Sequence, residues 1–130
     1  TFQEFIKCHR VNGSFENYNI PASCSIYSLL EIFDEKINIY IIHKNFSTSD
    51  FLPKKILNHN MLNEVNVSKV NLKGLEFPNI LGTHVSEATY YRLFLQDYLV
   101  DDIDTITYLD CDVFSINNPK SYIKKTVSNL

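Results

Sequence analysis

The stretch Ile103-Asp104-Thr105-Ile106-Thr107-Tyr108-Leu109-Asp110-Cys111-Asp112 decides how the chain is read. Thr105 to Leu109 is a run of β-branched, aromatic and aliphatic residues, which predicts a strand. It breaks off at two aspartates one residue apart. Residues i and i+2 of an extended segment project to the same side, so Asp110 and Asp112 are expected to share a face at the strand's carboxyl end. Two carboxylates there recruit a hard divalent cation through oxygen ligands. A cation so held, with open positions, takes phosphate oxygens and stabilises a departing diphosphate as a Lewis acid. Alone the motif is unspecific: eight aspartates in 130 residues produce about half an Asp-x-Asp by chance, the false-positive risk of any short motif.

Its context adds weight. Upstream, Ser86 is a candidate cap for a helix with Tyr91, Leu95, Tyr98 and Leu99 on one face, and Asp101 to Asp104 form the turn out of it. Lys73 to Thr83, with Pro78 and two glycines, reads as a loop. Val65, Val67 and Val70 suggest a short alternating strand. Ser47 to Asp50 offer N-caps for a helix carrying Leu52, Ile56, Leu57 and Met61. Ile37 to Ile42 is a strand whose end is apolar on both faces, as in a central strand covered by helices. Tyr18 to Glu35 predicts a first helix, with Pro21 in its opening turn and Ile26, Leu29, Leu30 and Phe33 as its buried stripe. Asn117-Asn118-Pro119 is expected to break the chain before a polar tail. Helices alternating with strands imply an α/β fold with a parallel sheet. In such sheets ligands bind outside the carboxyl ends of the strands, where Asp110 and Asp112 are expected.

Composition narrows the function classes. The chain is 45% hydrophobic and 21% charged, the range of a single globular domain. A net charge of −3 excludes a strongly basic nucleic-acid binder. Six of the eight aspartates crowd into residues 97–112, whereas only Arg10 and Arg92 are arginines. No apolar run approaches the roughly eighteen residues that span a bilayer, and Thr1 to Phe5 lack the pattern of a signal peptide. Cys8, Cys24 and Cys111 contain no CxxC pair and leave one thiol over in any disulfide scheme, which points to a reducing compartment. His9, His43, His59 and His84 show no metal-ligand spacing.

Three blocks of sequence carry a family likeness. His84-Val85-Ser86-Glu87-Ala88-Thr89-Tyr90-Tyr91-Arg92-Leu93-Phe94-Leu95, followed by Ile103 to Val113, closely resembles the family 8 glycosyltransferases, and Glu16 to Glu31 resembles that family's first helix. The likeness covers roughly residues 16–118. It implies a GT-A fold, a Rossmann-like α/β/α sandwich with a mostly parallel sheet. The implied activity is that of a retaining hexosyltransferase moving glucose or galactose from UDP-glucose or UDP-galactose to a saccharide or lipid-linked saccharide acceptor, as in lipopolysaccharide synthesis. By analogy Asp110 and Asp112 ligate Mn²⁺ (or Mg²⁺), which bridges the donor diphosphate, and the Cys111 backbone lies near the ribose. Asn17 and Tyr18 match positions that hold the uridine, Tyr18 by stacking. Arg92 matches an arginine near the diphosphate and sugar. The implied setting is cytoplasmic, with room for peripheral association at the inner face of the membrane.

Plainer readings stand beside these. Arg92 can pair with an acid such as Asp97, Tyr18 can pack at a helix entry, and Cys111 reads more simply as a small buried thiol. The sequence departs from the family in two respects. Cys8 to Glu16 is a poor match for the family's opening strand, and Phe15 stands where an aspartate that accepts from the uracil imide is expected. Residues 1–15 are therefore expected to hold an atypical first strand. Family members also continue for well over a hundred residues more, so residues 1–130, opening on Thr1, are expected to form the nucleotide-sugar-binding part of one domain, with residues 119–130 a truncated tail. No nucleophile can be named. The competing readings are a non-catalytic fragment that at most binds nucleotide and, as a poorer fit, a haloacid-dehalogenase-like phosphatase, which shares strand-Asp-x-Asp but usually has Thr or Val where this chain has Phe114.

Overall fold

A computed structural model of the chain describes residues 3–8, 19–71, 92–99 and 102–128. Among the described residues four strands, β1 (Gln3–Cys8), β2 (Ile37–His43), β3 (Leu62–Lys69) and β4 (Thr107–Leu109), form one sheet in the order β3-β2-β1-β4. Every pairing is parallel, with Cys8 beside Ile42, Lys7 beside Leu109 and His43 beside Lys69. The α/β class and parallel sheet expected from the alternating pattern are thus present.

β2 carries the architecture. All seven of its residues are buried, which requires cover on both faces. Its odd positions Ile37, Ile39 and Ile41 join Phe5, Ile26, Leu29, Leu30, Phe33, Leu52 and Ile56 in one apolar cluster. Its even positions Tyr40 and Ile42 pack with Leu95, Tyr98, Leu99, Ile103, Ile106 and Tyr108 on the other face. The period-2 alternation of a strand therefore divides the molecule into three layers, as in an α/β/α sandwich. A buried Asn38 interrupts the aliphatic run, and Asn63 Nδ2 donates to its Oδ1 at 2.7 Å, so its carbonyl is paired.

The first layer holds α1 (Asn19–Ile32), whose stripe Ile26, Leu29 and Leu30 lies against the sheet as its spacing predicts. Phe33, just past the helix, meets Phe5 edge-to-face with ring centroids 5.6 Å apart. The second predicted helix is split. A 3-10 turn (Ser49–Phe51) is followed by a single α-turn, α2 (Lys54–Leu57). Pro53 lies between them: with no N–H to give and a clash against the preceding turn, proline ends one helix and is tolerated at the start of the next. Met61 consequently falls in the turn before β3, which starts at Leu62 and ends before Val70.

The first strand lies at Gln3–Cys8, within residues 1–15 and ahead of most of the Cys8 to Glu16 stretch that corresponds to the family's opening strand. The polar segment after Pro119 carries a helix, α3 (Lys120–Ser128). Asn118 Oδ1 accepts the Lys120 N–H at 3.0 Å and the Pro119 carbonyl accepts from Ile123 at 2.9 Å. These residues start a helix by satisfying its first donors and acceptors. Lys120 Nζ then ties the start of α3 to Glu35 and Asp34 at 3.0 and 3.3 Å. On the opposite face of the sheet, residues Arg92–Asp97 form a 3-10 helix rather than an α-helix, and the Tyr98 hydroxyl both accepts from the Asn71 N–H and donates to its carbonyl. Ser86 to Tyr91 and the Lys73 to Thr83 loop lie outside the described residues.

Candidate functional site

The strand order locates the site. From β1 the chain steps to β2 and then β3 on one side, whereas β4 lies on the other side of β1. The order therefore reverses between β1 and β4. In an open parallel sheet, that reversal opens a crevice at the carboxyl ends of the two flanking strands. Asp110 directly follows Leu109, the last residue of β4, and comes level with the end of β1.

The two aspartates do not continue an extended strand. Asp110 to Val113 form a tight turn, closed by the Val113 N–H donating to the Asp110 carbonyl at 3.3 Å. The extended geometry expected for the motif is corrected accordingly. Asp110 and Asp112 are exposed, and Cys111 between them is buried at 8% exposure. The simple reading of Cys111 as a small buried thiol holds, whereas the Cys24 thiol is exposed.

The exit of the acidic turn is pinned to α1. Ser25 Oγ donates to the Val113 carbonyl, and Ser28 Oγ accepts the Ser115 N–H at 3.0 Å. Ser28 in turn donates to the Ser25 carbonyl at 2.7 Å. Two serines one helical turn apart thus fasten the turn to the helix that the first apolar cluster holds in place. Sequence reasoning singles out neither of them. Their only signal is a place beside the Ile26, Leu29, Leu30 stripe.

The hard oxygen donors of Asp110 and Asp112 suit Mn²⁺ or Mg²⁺. Among the described residues no cluster of three or more His, Cys, Asp or Glu is gathered for a metal. Two carboxylates fit a cation whose remaining positions are filled by phosphate and water, and they do not fit a closed protein cage.

The other expected site residues are only partly placed. Arg92 opens the 3-10 helix on the face opposite α1, but its side chain is outside the described residues, as are Asn17, Tyr18 and Phe15. Asn19, which follows Tyr18 in the chain, begins α1 and meets His43 at the end of β2, with 3.1 Å between Asn19 Oδ1 and His43 Nε2. A separate apolar cavity of about 620 Å³ lies between β4 and α3, walled by Leu109, Phe114, Tyr122, Ile123 and other residues, none of them acidic. Val113 and Ser115, at the exit of the acidic turn, also line it.

With this geometry in view, the sequence matches the model of Glycosyl transferase family 8 over residues 11–126. The chain belongs to glycosyl transferase family 8. The matched span takes in α1, β2, β3, β4 and the acidic turn, and starts just after β1. It decides between the two chemistries that share the strand-Asp-x-Asp signature, in favour of glycosyl transfer over phosphate-ester hydrolysis. A search of curated proteins gave no match.

Proposed function

We propose that this family 8 chain binds a UDP-hexose, UDP-glucose or UDP-galactose, in the crevice between β1 and β4 and serves transfer of the hexosyl group, with retention, to a saccharide or lipid-linked saccharide acceptor of the lipopolysaccharide kind. One observation carries this reading: an acidic turn, Asp110 to Val113, standing where the strand order reverses in an all-parallel sheet. Asp110 and Asp112 hold Mn²⁺ or Mg²⁺. When bound there, such a cation would supply Lewis-acid stabilisation of a departing diphosphate. The buried Cys111 and the two serines of α1 keep the acidic turn in place, which lowers the ordering cost when the donor arrives. Asn17 and Tyr18 take the uridine and Arg92 lies by the diphosphate, on the strength of the family likeness. The reaction runs on the cytoplasmic side, where nucleotide sugars are available.

Titrating UDP in the presence of Mn²⁺ into Asp110→Asn and Asp112→Asn tests the assignment. Each variant keeps the volume of the residue and removes the charge, so UDP affinity is expected to fall at least tenfold with little change in thermal stability. Affinities equal to that of the unaltered chain would show that the acidic turn is not the metal site.

A second reading, a chain that binds nucleotide without turnover, draws on Phe15 in place of the family's aspartate. Detectable sugar transfer by the chain would rule it out.

A further inference from the structure

His43 ends β2 at the ligand-binding rim of the sheet and is 1% exposed, yet it has no part in the metal site. Its two ring nitrogens have different work. Nδ1 accepts the backbone N–H of Asn45 at 2.9 Å and of Phe46 at 3.1 Å, so it carries no proton. The proton of the neutral ring is then on Nε2, which donates to Asn19 Oδ1 at 3.1 Å. Phe46 and Phe51 flank the ring with centroids 4.6 and 5.1 Å away. The ring is thereby held in one orientation and one tautomer.

We propose that His43 is a positioning residue of the nucleotide site: through Nε2–H it fixes Asn19, the first residue of α1, against the carboxyl end of β2. The inference rests on the nucleotide-binding reading above. In doubly wound sheets, the loop that leads from the first strand into the first helix is a principal ligand contact. The two residues preceding Asn19 in the chain are the Asn17–Tyr18 pair proposed for uridine. The start of α1 is held from within by Ser23 Oγ, which donates to the Asn19 carbonyl at 2.6 Å. His43 supplies the link from outside the helix, from a strand already buried along its whole length.

The two functions of the ring can be separated by substitution. His43→Gln places an amide N–H where Nε2–H stood and keeps the donor to Asn19. His43→Asn places a carbonyl oxygen where Nδ1 stood and keeps the acceptor for Asn45 and Phe46, but falls short of Asn19. UDP affinity in the presence of Mn²⁺ is measured for both, alongside thermal midpoints. The proposal expects His43→Asn to bind UDP about tenfold more weakly, the scale of one lost hydrogen bond at an ordered site, and His43→Gln to stay within about threefold of the unaltered chain. Asn19→Leu is expected to weaken binding as His43→Asn does, with no further loss in the double variant, whereas Asn19→Asp retains the acceptor and the affinity. Equal losses in His43→Gln and His43→Asn, tracking their thermal midpoints, would reduce His43 to a structural core residue and overturn the proposal. Unchanged affinity in His43→Asn would overturn it as well. Failure of the underlying reading is distinguishable, because the unaltered chain would then take up no UDP, and the proposal would fall with it.

Discussion

Ser28 Oγ lies 3.0 Å from the backbone nitrogen of Ser115 and accepts its N–H, joining residues 87 positions apart. Together with the Ser25 bond to the Val113 carbonyl, it makes α1 the bench on which the acidic turn is mounted. α1 is held by its own buried stripe against β2. The position of Asp110 and Asp112 is therefore settled from two directions, by β4 entering the turn and by α1 gripping its exit.

Removing that grip is expected to affect binding more than folding. Ser28→Ala deletes the acceptor for Ser115 at a half-buried position, at a cost of about 1 kcal/mol. In Ser25→Ala/Ser28→Ala the turn loses both fasteners, and Mn²⁺-dependent UDP affinity is expected to drop several-fold while the urea unfolding midpoint moves only modestly. Calorimetric titration and urea denaturation of the same preparations check this, and unchanged affinity would mean that β4 alone sets the turn.

The core makes the opposite prediction. Leu30 is fully buried at 0% exposure within the cluster that backs the sheet. Leu30→Ala leaves a cavity and is expected to cost about 2–5 kcal/mol, a large share of the stability of a domain this small. Chemical denaturation checks the figure. A loss below about 1 kcal/mol would mean that α1 is not seated as described.

Acid is expected to lower the stability of the chain over two ranges of pH. Burial holds the His43 imidazole below its ordinary pKa of 6.5. Below about 6.5 the unfolded chain takes up a proton that the native ring refuses, so the stability due to neutral His43 is complete above that value and is lost as pH falls to the lowered native one. The hydrogen bond from His59, then that from Tyr27, holds Glu31 below its ordinary 4.5. Bonds from Asn118 and then Lys120 hold Asp34 below 3.8. Their contributions persist above those values and disappear only as pH drops beneath them. Urea midpoints measured from pH 7.5 to 3 should show both limbs, and His43→Gln should remove only the upper one. Persistence of the upper limb in that variant would assign it to another group.

Much of this is legible in the sequence where structure is local or periodic. The stripe of α1, the doubly apolar β2 and the strand that ends at Asp110 all derive from spacing and residue type. β1 does not, because Gln3-Glu4-Phe5-Ile6-Lys7-Cys8 has no strong strand character of its own. It is a strand because β2 and β4 pair with it on both sides, a non-local cause that propensity does not carry. The start of α3 is hard to read because Asn118-Pro119 breaks one element and begins another with the same residues. Ser25 and Ser28 are hidden for a third reason: on a helix they look like its polar face, and their partners lie 88 and 87 residues away. His43 escapes a search for metal-ligand spacing among the histidines, and its tautomer is visible only from its neighbours.

The proposed role of the acidic turn at the reversal of strand order is to hold a divalent cation for a UDP-sugar. The most direct measurement is calorimetric titration of UDP into the chain with and without Mn²⁺. Saturable binding that requires Mn²⁺ is the predicted result. A folded chain that takes up no UDP in the presence of Mn²⁺, or that binds it equally well without the metal, would contradict the account.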